Sequence, residues 1–265
     1  MVKYKVSAVS YLNTIPFIHG LKQGDLINII DLQLDYPSIC ADKLINGTVD
    51  LALVPVVVIP KLKHPYIISD YCIGANGAVD TVCLYSDVPI EKIESIGLDY
   101  QSRTSVALLK VLLKEYWQLN PELKKADVGF EDNIKGKHAA LVIGDRAFTL
   151  NAKHKFIYDL SAIWKEMTDL PFVFAAWVSN TKLPQDFIND FNKALENGLS
   201  NIDNALALEV DSYPNCETPE DYLNNKISYN LDPCNGNYSV FIFHFAHINY
   251  FSYFCQYSLL YTTNN

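Results

Sequence analysis

Short apolar runs alternate with amphipathic stretches along most of this chain, and this alternation restricts its fold more than any other feature. The stretches between the runs carry apolar residues three and four positions apart, the spacing of a helix with one buried face. Strands that alternate with helices predict an α/β fold with parallel strands. The predicted strands cover residues 6–9, 50–55, 67–68, 79–85, 96–98, 139–143 and 172–178.

Helix signals fall between these strands. Pro37 opens the first predicted helix, with Ser38 as its N-cap, and Gly47 ends it. Residues 11–15 are predicted as a loop that ends at Pro16. The other predicted helices cover residues 106–116, 157–167, 184–199 and 219–227.

The order of these elements predicts two lobes. Residues 87–176 form a middle unit, flanked by residues 1–86 and 177–265, which can pair into one outer lobe. Two crossings, near 84–89 and 174–180, then form a two-strand hinge. A protein of this shape closes around a ligand by rigid-body movement of its lobes.

Charge and cysteine content narrow the function. The net charge of −9 argues against a nucleic-acid surface, which needs a basic stripe, so a small-molecule ligand is expected. The six cysteines show neither a C-x-x-C pair nor regular spacing, which argues against a disulfide or metal framework. No apolar signal core precedes Asn13 and Pro16, so we expect a cytoplasmic protein that does not span a membrane.

The segment Ser102-Arg103-Thr104-Ser105 lies between a predicted strand end and a helix start. Backbone N–H groups at a helix start have no intrahelical partner, and together with the helix dipole they favour an anion. The hydroxyl groups add further donors. The alternative is that Ser102 or Thr104 only caps the helix.

Two further polar segments follow predicted strands. Ser10-Tyr11-Leu12-Asn13-Thr14 follows the first strand, at an edge where open α/β sheets bind ligands, although such loops are often plain turns. Gly144-Asp145 follows strand 139–143, where an aspartate serves as a base, as a hydrogen-bond partner or, most commonly, as an N-cap. No nucleophile, zinc or nucleotide motif occurs, and the six histidines are dispersed, so no metal and no cofactor are expected.

Six motifs together resemble the chorismate dehydratase family, which belongs to the futalosine route of menaquinone synthesis. They occur in the family's order and cover about residues 1–230. The motifs are SYLNTIP (10–16), CADKLINGTVDLALVP (40–55), GAVDTVCLYS (77–86), LDYQSRTSVALLKVLL (98–113), ALVIGDRAF (140–148) and YDLSAIWKEMTDLPFVFAAW (158–177).

The resemblance implies a type-II periplasmic-binding-protein fold that works as a cytoplasmic carbon–oxygen lyase without cofactors, and it leaves a homodimer open. The implied substrate is the dicarboxylate chorismate. Asn13 would lie beside the reacting ring carbons, and Thr81 would be catalytic, with a methyl group more than the serine expected there. Thr104 and Ser105 would bind a carboxylate. The other substrate-binding residues implied are Ser10, Tyr11, Thr14, Ser102, Arg103, Gly144 and Asp145.

Two alternatives stay open. One is a non-catalytic solute-binding protein for an aromatic or dicarboxylic acid, since a fold does not fix a function. The other is the sister dihydroxynaphthoate synthase, in which a His-Glu pair is expected where this chain has Gly144-Asp145.

The chain departs from the family pattern at two places. Asp169 stands where the family's turn has glycine, and aspartate tolerates the left-handed backbone region well. Residues 232–265 form an atypical aromatic tail without a charged residue after Asp232, where relatives end in a charged helix. We expect a reading-frame change near residues 231–236. A membrane span is the alternative, which the polar residues of this tail disfavour.

Overall fold

The computed structural model describes residues 3–151, 153–209, 213 and 215–231. Its helices and strands form two mixed sheets with helices packed on them. In chain order they are β1 (Tyr4–Val9), α1 (Ile15–Lys22), α2 (Leu26–Ile29), β2 (Ile30–Asp35), α3 (Pro37–Ile45), β3 (Leu51–Pro55), β4 (Tyr66–Ala75), β5 (Val82–Ser86), β6 (Ser95–Leu98), α4 (Thr104–Val111), β7 (Glu122–Lys125), β8 (His138–Ile143), β9 (Phe156–Asp159), α5 (Leu160–Thr168), β10 (Phe172–Ser179), α6 (Gln185–Leu199), α7 (Ile202–Glu209), α8 (Pro219–Asp221) and β11 (Ser228–Asn230).

The first sheet has the strand order β11-β4-β10-β3-β1-β2, and the second has the order β7-β6-β8-β5-β9. The strands β1, β2 and β3 run parallel, as do β6, β7 and β8. In contrast, β10 is antiparallel to β3 and β4, and β5 is antiparallel to β8 and β9. The prediction of parallel strands is therefore right for one part of each sheet only.

The chain crosses between the sheets at residues 76–81 and 160–171, not near 84–89 and 174–180 as the sequence predicts. β5 hydrogen-bonds into the second sheet, and β10 hydrogen-bonds into the first. Hydropathy identified both as buried strands, but the sheet that a buried strand joins depends on its tertiary partners. The predicted aromatic tail lies outside the described residues.

Several element boundaries differ from the prediction. Pro16 lies in the first turn of α1 instead of ending a loop, because the missing N–H of proline costs nothing at that position. Residues 157–159 belong to β9, and α5 starts only at Leu160. The Asp159 carboxylate caps α5 by accepting from Ser161 N and Ala162 N, both at 3.0 Å. The predicted cap Ser38 lies inside α3, which starts after Tyr36 without a side-chain cap.

The strands 50–55, 139–143 and 172–178 and the helices near 37–47 and 184–199 are confirmed within a few residues. Asp169 has a φ of 57°, which confirms the left-handed turn expected there. The elements α1, α2, β2, β7, α7 and β11 were not predicted. None of the helices in the described ranges combines the length and the apolar character needed to cross a bilayer.

Helix α1 packs on α6 with main chains in contact. A Cβ at Gly20 would lie 1.9 Å from the carbonyl oxygen of Ala194, and one at Gly198 would lie 1.9 Å from that of Pro16. Only glycine allows this approach. The crossing fixes α1 on the first sheet, and α1 in turn fixes the turn after β1, from which Asn13 projects.

Candidate active site

An open cleft lies between the two sheets, and its volume of ≈ 550 Å³ includes the solvent at its mouth. Both sheets contribute to its wall, which carries polar uncharged groups among apolar side chains. The wall contains Val9, Tyr11, Asn13, Pro37, Pro55, Ile73, Val79, Thr81, Val82, Ser102, Thr104, Ser105, Ile143, Gly144, Phe174 and Ala175.

The turn after β1 is fixed by Thr14, whose side chain points away from the cleft. Its hydroxyl lies 2.5 Å from the carbonyl oxygen of Val9 and 2.7 Å from that of Tyr11, and the residue is fully buried. The main chain of Asn13 is held from the other side, because the Tyr229 hydroxyl donates to its carbonyl oxygen at 2.9 Å. Thr14 is therefore placed to shape the turn that carries Asn13.

Asn13 and Thr81 lie on the same cleft wall, although the chain brings them from different segments. Tyr222 lies beside both: its phenol oxygen lies 2.8 Å from Thr81 Oγ1, and the neighbouring Asn13 side chain lowers the pKa of this phenol, which burial raises. Among the residues described, no donor reaches the buried Asn13 Oδ1. Sequence reasoning missed Tyr222, which lies in the predicted helix 219–227 and has no motif around it.

The start of α4 also lines the cleft. Ser102 Oγ accepts from Ser105 N at 3.1 Å, so the Ser102 hydroxyl proton can be donated into the cleft. The Thr104 hydroxyl behaves differently, because it donates to the Phe174 carbonyl oxygen at 3.0 Å. A hydroxyl has one proton, so Thr104 cannot also donate to a ligand with this side chain. Its hydroxyl instead ties α4 to β10 across the two sheets.

Two sequence-predicted residues, Arg103 and Ser10, are absent from the cleft wall. The Arg103 guanidinium forms an exposed ion pair with Asp42 of α3, with Nη2 2.6 Å from Oδ1. Ser10 uses its N–H for the carbonyl oxygen of Asp35 at 3.0 Å and is absent from the wall. The placement of these two side chains does not support direct binding of a ligand.

Gly144 and Asp145 bring the second sheet against the turn after β1. Gly144 has a φ of 68°, and the Tyr11 ring lies so close that a Cβ at position 144 would be 2.7 Å from Tyr11 Cζ. The Asp145 carboxylate accepts from Leu12 N, with oxygens at 3.1 and 3.3 Å. Burial raises the pKa of Asp145 to about 6. Asp145 is thus neither an N-cap nor part of the cleft wall.

The sequence also did not predict a buried polar network behind this wall. Asp99, at 2% exposure, accepts from Ile143 N at 2.8 Å, from Gln101 N at 2.9 Å and from Arg146 Nη2 at 2.6 Å. The Gln101 side chain in turn accepts from the Tyr11 hydroxyl. Arg146 lies over the rings of Tyr100 and Phe130, 5.3 and 5.6 Å from their centroids. The features that could have indicated this network are Asp99, directly after a predicted buried strand, and Arg146, two residues after Gly144.

These contacts define a neutral cleft that can hold an anion by hydrogen bonds. Ser102, Ser105 and the start of α4 supply donors, and Asn13 and Thr81 supply an amide and a hydroxyl. Tyr11 is kept neutral, since burial raises the pKa of its phenol. Local donors compensate for the overall negative charge, which would otherwise repel an anionic ligand.

The fold and the sequence agree on a family. A family model described as menaquinone biosynthesis matches residues 4–235, and the chain therefore belongs to this family. A relative from Thermus thermophilus named chorismate dehydratase is 27% identical over 226 residues, which covers 76% of this chain and 80% of the relative. A second relative of that name, from Campylobacter jejuni, is 30% identical over 192 residues, which covers 70% of this chain and 72% of the relative.

Solved structures show the same fold at low sequence identity. A protein from Archaeoglobus fulgidus superposes with a TM-score of 0.73 at 15% identity, over 93% of this chain and 97% of that one. A gene product of Candida albicans, described as having the generic periplasmic binding protein fold, gives a TM-score of 0.61 at 11% identity, over 94% and 90%. The predicted periplasmic-binding-protein-like α/β fold is confirmed.

Proposed function

We propose that this chain is a chorismate dehydratase, a hydro-lyase that converts chorismate to 3-[(1-carboxyvinyl)oxy]benzoate and water. Family membership and the names of the two relatives support this assignment. The observation that carries it is the convergence of Asn13 and Thr81 with Ser102 and Ser105 on one uncharged cleft.

The reaction suits a site without strong acids or bases. The ring loses the proton on C3 and the hydroxyl on C4, which leave together as one water, and the ring electrons become aromatic. The product side is strongly favoured, so the protein has mainly to hold the substrate and orient the groups that leave. Positioning and preorganised hydrogen bonds account for this type of catalysis.

Different residues of the cleft bind different groups of the substrate in this proposal. The amino-terminal end of α4 with Ser102 and Ser105 holds a carboxylate, because N–H groups and hydroxyls there face an anion. Asn13 and Thr81 line the same cleft, where an amide and a hydroxyl can hydrogen-bond to the departing C4 hydroxyl. The contribution of Thr104 is its main-chain N–H and its link to Phe174.

The proton acceptor comes from the substrate in this proposal. In the described part of the chain, the cleft wall contains no carboxylate, imidazole or amine. Asp145, which follows the wall residue Gly144, has its carboxylate engaged by Leu12 N. The enolpyruvyl carboxylate of chorismate is attached through the ether oxygen at C3 and can reach the proton on that carbon.

The test is incubation of the purified protein with chorismate, followed by mass spectrometry and ultraviolet absorbance. The expected product is smaller than chorismate by one water and keeps the enolpyruvyl group, which separates it from products of spontaneous breakdown. Chorismate that binds tightly but stays unchanged would instead indicate a solute-binding protein. If chorismate neither binds nor reacts, the assignment is wrong for this substrate.

A further inference from the structure

Tyr222 occupies a position in the site that neither the motifs nor the charges of the chain reveal. It lies in the helical turn Tyr222–Lys226, near the end of the described chain, and is 3% exposed. Its phenol oxygen is 2.8 Å from Thr81 Oγ1. A buried tyrosine normally satisfies its hydroxyl, and here the partner is a residue of the cleft wall.

The same phenol also meets Asn13. Burial raises the pKa of Tyr222, while its contacts with the Thr81 and Asn13 side chains act in the opposite direction. The Asn13 side chain therefore lies beside this phenol, next to the Thr81 hydroxyl. The arrangement agrees with the absence of a donor at Asn13 Oδ1 within the described residues.

Tyr222 is itself held firmly. The Phe148 ring meets the Tyr222 ring edge-on, with centroids 5.1 Å apart and planes at 85°. Its N–H donates to the carbonyl oxygen of Thr218 at 3.0 Å. Tyr229, in the nearby strand β11, fixes the Asn13 main chain. Asn13 is thus held by one tyrosine at its backbone and by another at its side chain.

We propose that Tyr222 is a positioning residue for the dehydration, an inference that rests on the proposed function. A phenol oxygen can accept and donate at the same time, and so it can orient the Asn13 amide and the Thr81 hydroxyl together. Tyr222 acts on the reaction through these two side chains. Its loss leaves the α4 wall that holds the carboxylate unchanged.

The kinetic test compares Tyr222→Phe with Tyr85→Phe. Tyr85 is also a fully buried tyrosine with two hydrogen bonds, to the carbonyl oxygen of Ala147 and to Asn151, but it is absent from the cleft wall. We expect Tyr222→Phe to lower kcat by about 10- to 100-fold with KM changed by less than about threefold, the pattern of misplaced reacting groups. Tyr85→Phe should keep kcat within about twofold while losing thermal stability.

A double-mutant cycle separates positioning from general damage. Thr81→Val removes one of the two partners, so Tyr222→Phe should lower kcat by a smaller factor in the Thr81→Val background than in the wild type, and the remaining loss comes from Asn13. Thr81→Ser keeps the hydroxyl and should retain most of kcat. Additive losses in the double variant, or a Tyr222→Phe enzyme with the wild-type kcat, would overturn the inference while leaving the proposed function intact.

An NMR experiment tests the contact between Tyr222 and Asn13 without any catalytic turnover. The side-chain amide signals of Asn13 are assigned in a ¹⁵N-labelled protein by their disappearance in Asn13→Ala. We expect Tyr222→Phe to shift these signals toward those of a solvent-exposed asparagine amide, and Tyr85→Phe to leave them in place. Unmoved signals in Tyr222→Phe would disprove the contact. An inert wild-type protein with a shifted amide would contradict only the proposed function.

Discussion

The Tyr11 ring at the end of β1 lies against the Cα of Gly144 at the end of β8, so that one residue from each sheet closes the cleft between them. A Cβ at position 144 would be 2.7 to 2.9 Å from three atoms of that ring. The contact is therefore available only to glycine while the two sheets keep this spacing. It joins the two sheets beside the Asp145–Leu12 hydrogen bonds.

Gly144→Ala should weaken chorismate binding by about tenfold, because the added methyl pushes the Tyr11 ring and the two sheets apart. The positive φ adds a loss of about 1 kcal/mol in the free energy of unfolding. Gly136→Ala is the matched control: its φ is 56°, and nothing lies within 4 Å of the position of its Cβ. Calorimetric titration with chorismate measures the difference, and equal affinities in the two variants would show that the Tyr11 contact does not control the cleft.

Asn13→Ala should abolish turnover and leave the fold intact, because the turn that carries Asn13 is held by the Thr14 hydroxyl and by the Tyr229 contact to its main chain. The control is Asn180→Ala, which also removes a half-buried asparagine but breaks a contact to the Leu44 carbonyl oxygen away from the cleft. Circular dichroism and a chorismate assay on both variants are sufficient. Near-wild-type turnover by Asn13→Ala would remove Asn13 from the mechanism.

Arg103→Ala should change KM for chorismate by less than about threefold, because its guanidinium is paired with Asp42 on the surface. An exposed ion pair contributes at most about 1 kcal/mol to stability, so the melting temperature should hardly move. Asp42→Asn breaks the same pair from the other side and should behave alike. A rise in KM of about tenfold or more in Arg103→Ala alone would show that Arg103 leaves Asp42 to bind a substrate carboxylate.

Asp145 should make the protein less stable as the pH rises from about 4 to about 6. Its pKa in the folded chain is raised by burial to about 6 from an ordinary value of 3.8, so the folded state binds the proton more tightly than the unfolded state does. The resulting stabilisation is fully present below the unfolded pKa and is lost as the pH passes the folded one. Asp145→Asn should remove this dependence and be more stable than wild type at pH 7 by about 1 to 2 kcal/mol.

Urea unfolding of wild type and Asp145→Asn across this pH range measures the effect, with the exposed substitution Asp127→Asn as the control. The Asp145→Asn variant should also keep most of its turnover, because asparagine can still accept from Leu12 N. Parallel stability curves for wild type and variant would contradict the raised pKa. Loss of turnover in a folded Asp145→Asn protein would make Asp145 the proton acceptor in place of the substrate.

The local pattern of the chain predicted a large part of this structure. Buried strands such as 139–143 are identifiable because apolar runs bounded by turn residues have few other solutions, and α6 is identifiable from its spacing of Phe187, Phe191 and Leu195. The left-handed turn at Asp169 follows from the family's glycine at this position together with the tolerance of aspartate for that backbone region. The segments that line the cleft follow from their place after strands and before helices, a property that sequence order contains.

The tertiary structure decided which groups in those segments face a ligand. Thr14, Arg103 and Thr104 have polar side chains that suit an anion site, yet each is engaged by a partner, and two of those partners lie far away in sequence. Tyr222 reaches Thr81 across 141 residues, and such a contact leaves no local signature. The side-chain types and the order of the elements along the chain are local properties, so the sequence itself fixes them. The direction of a hydrogen bond and the sheet that β5 joins depend on which distant groups the packed chain brings within 3 Å.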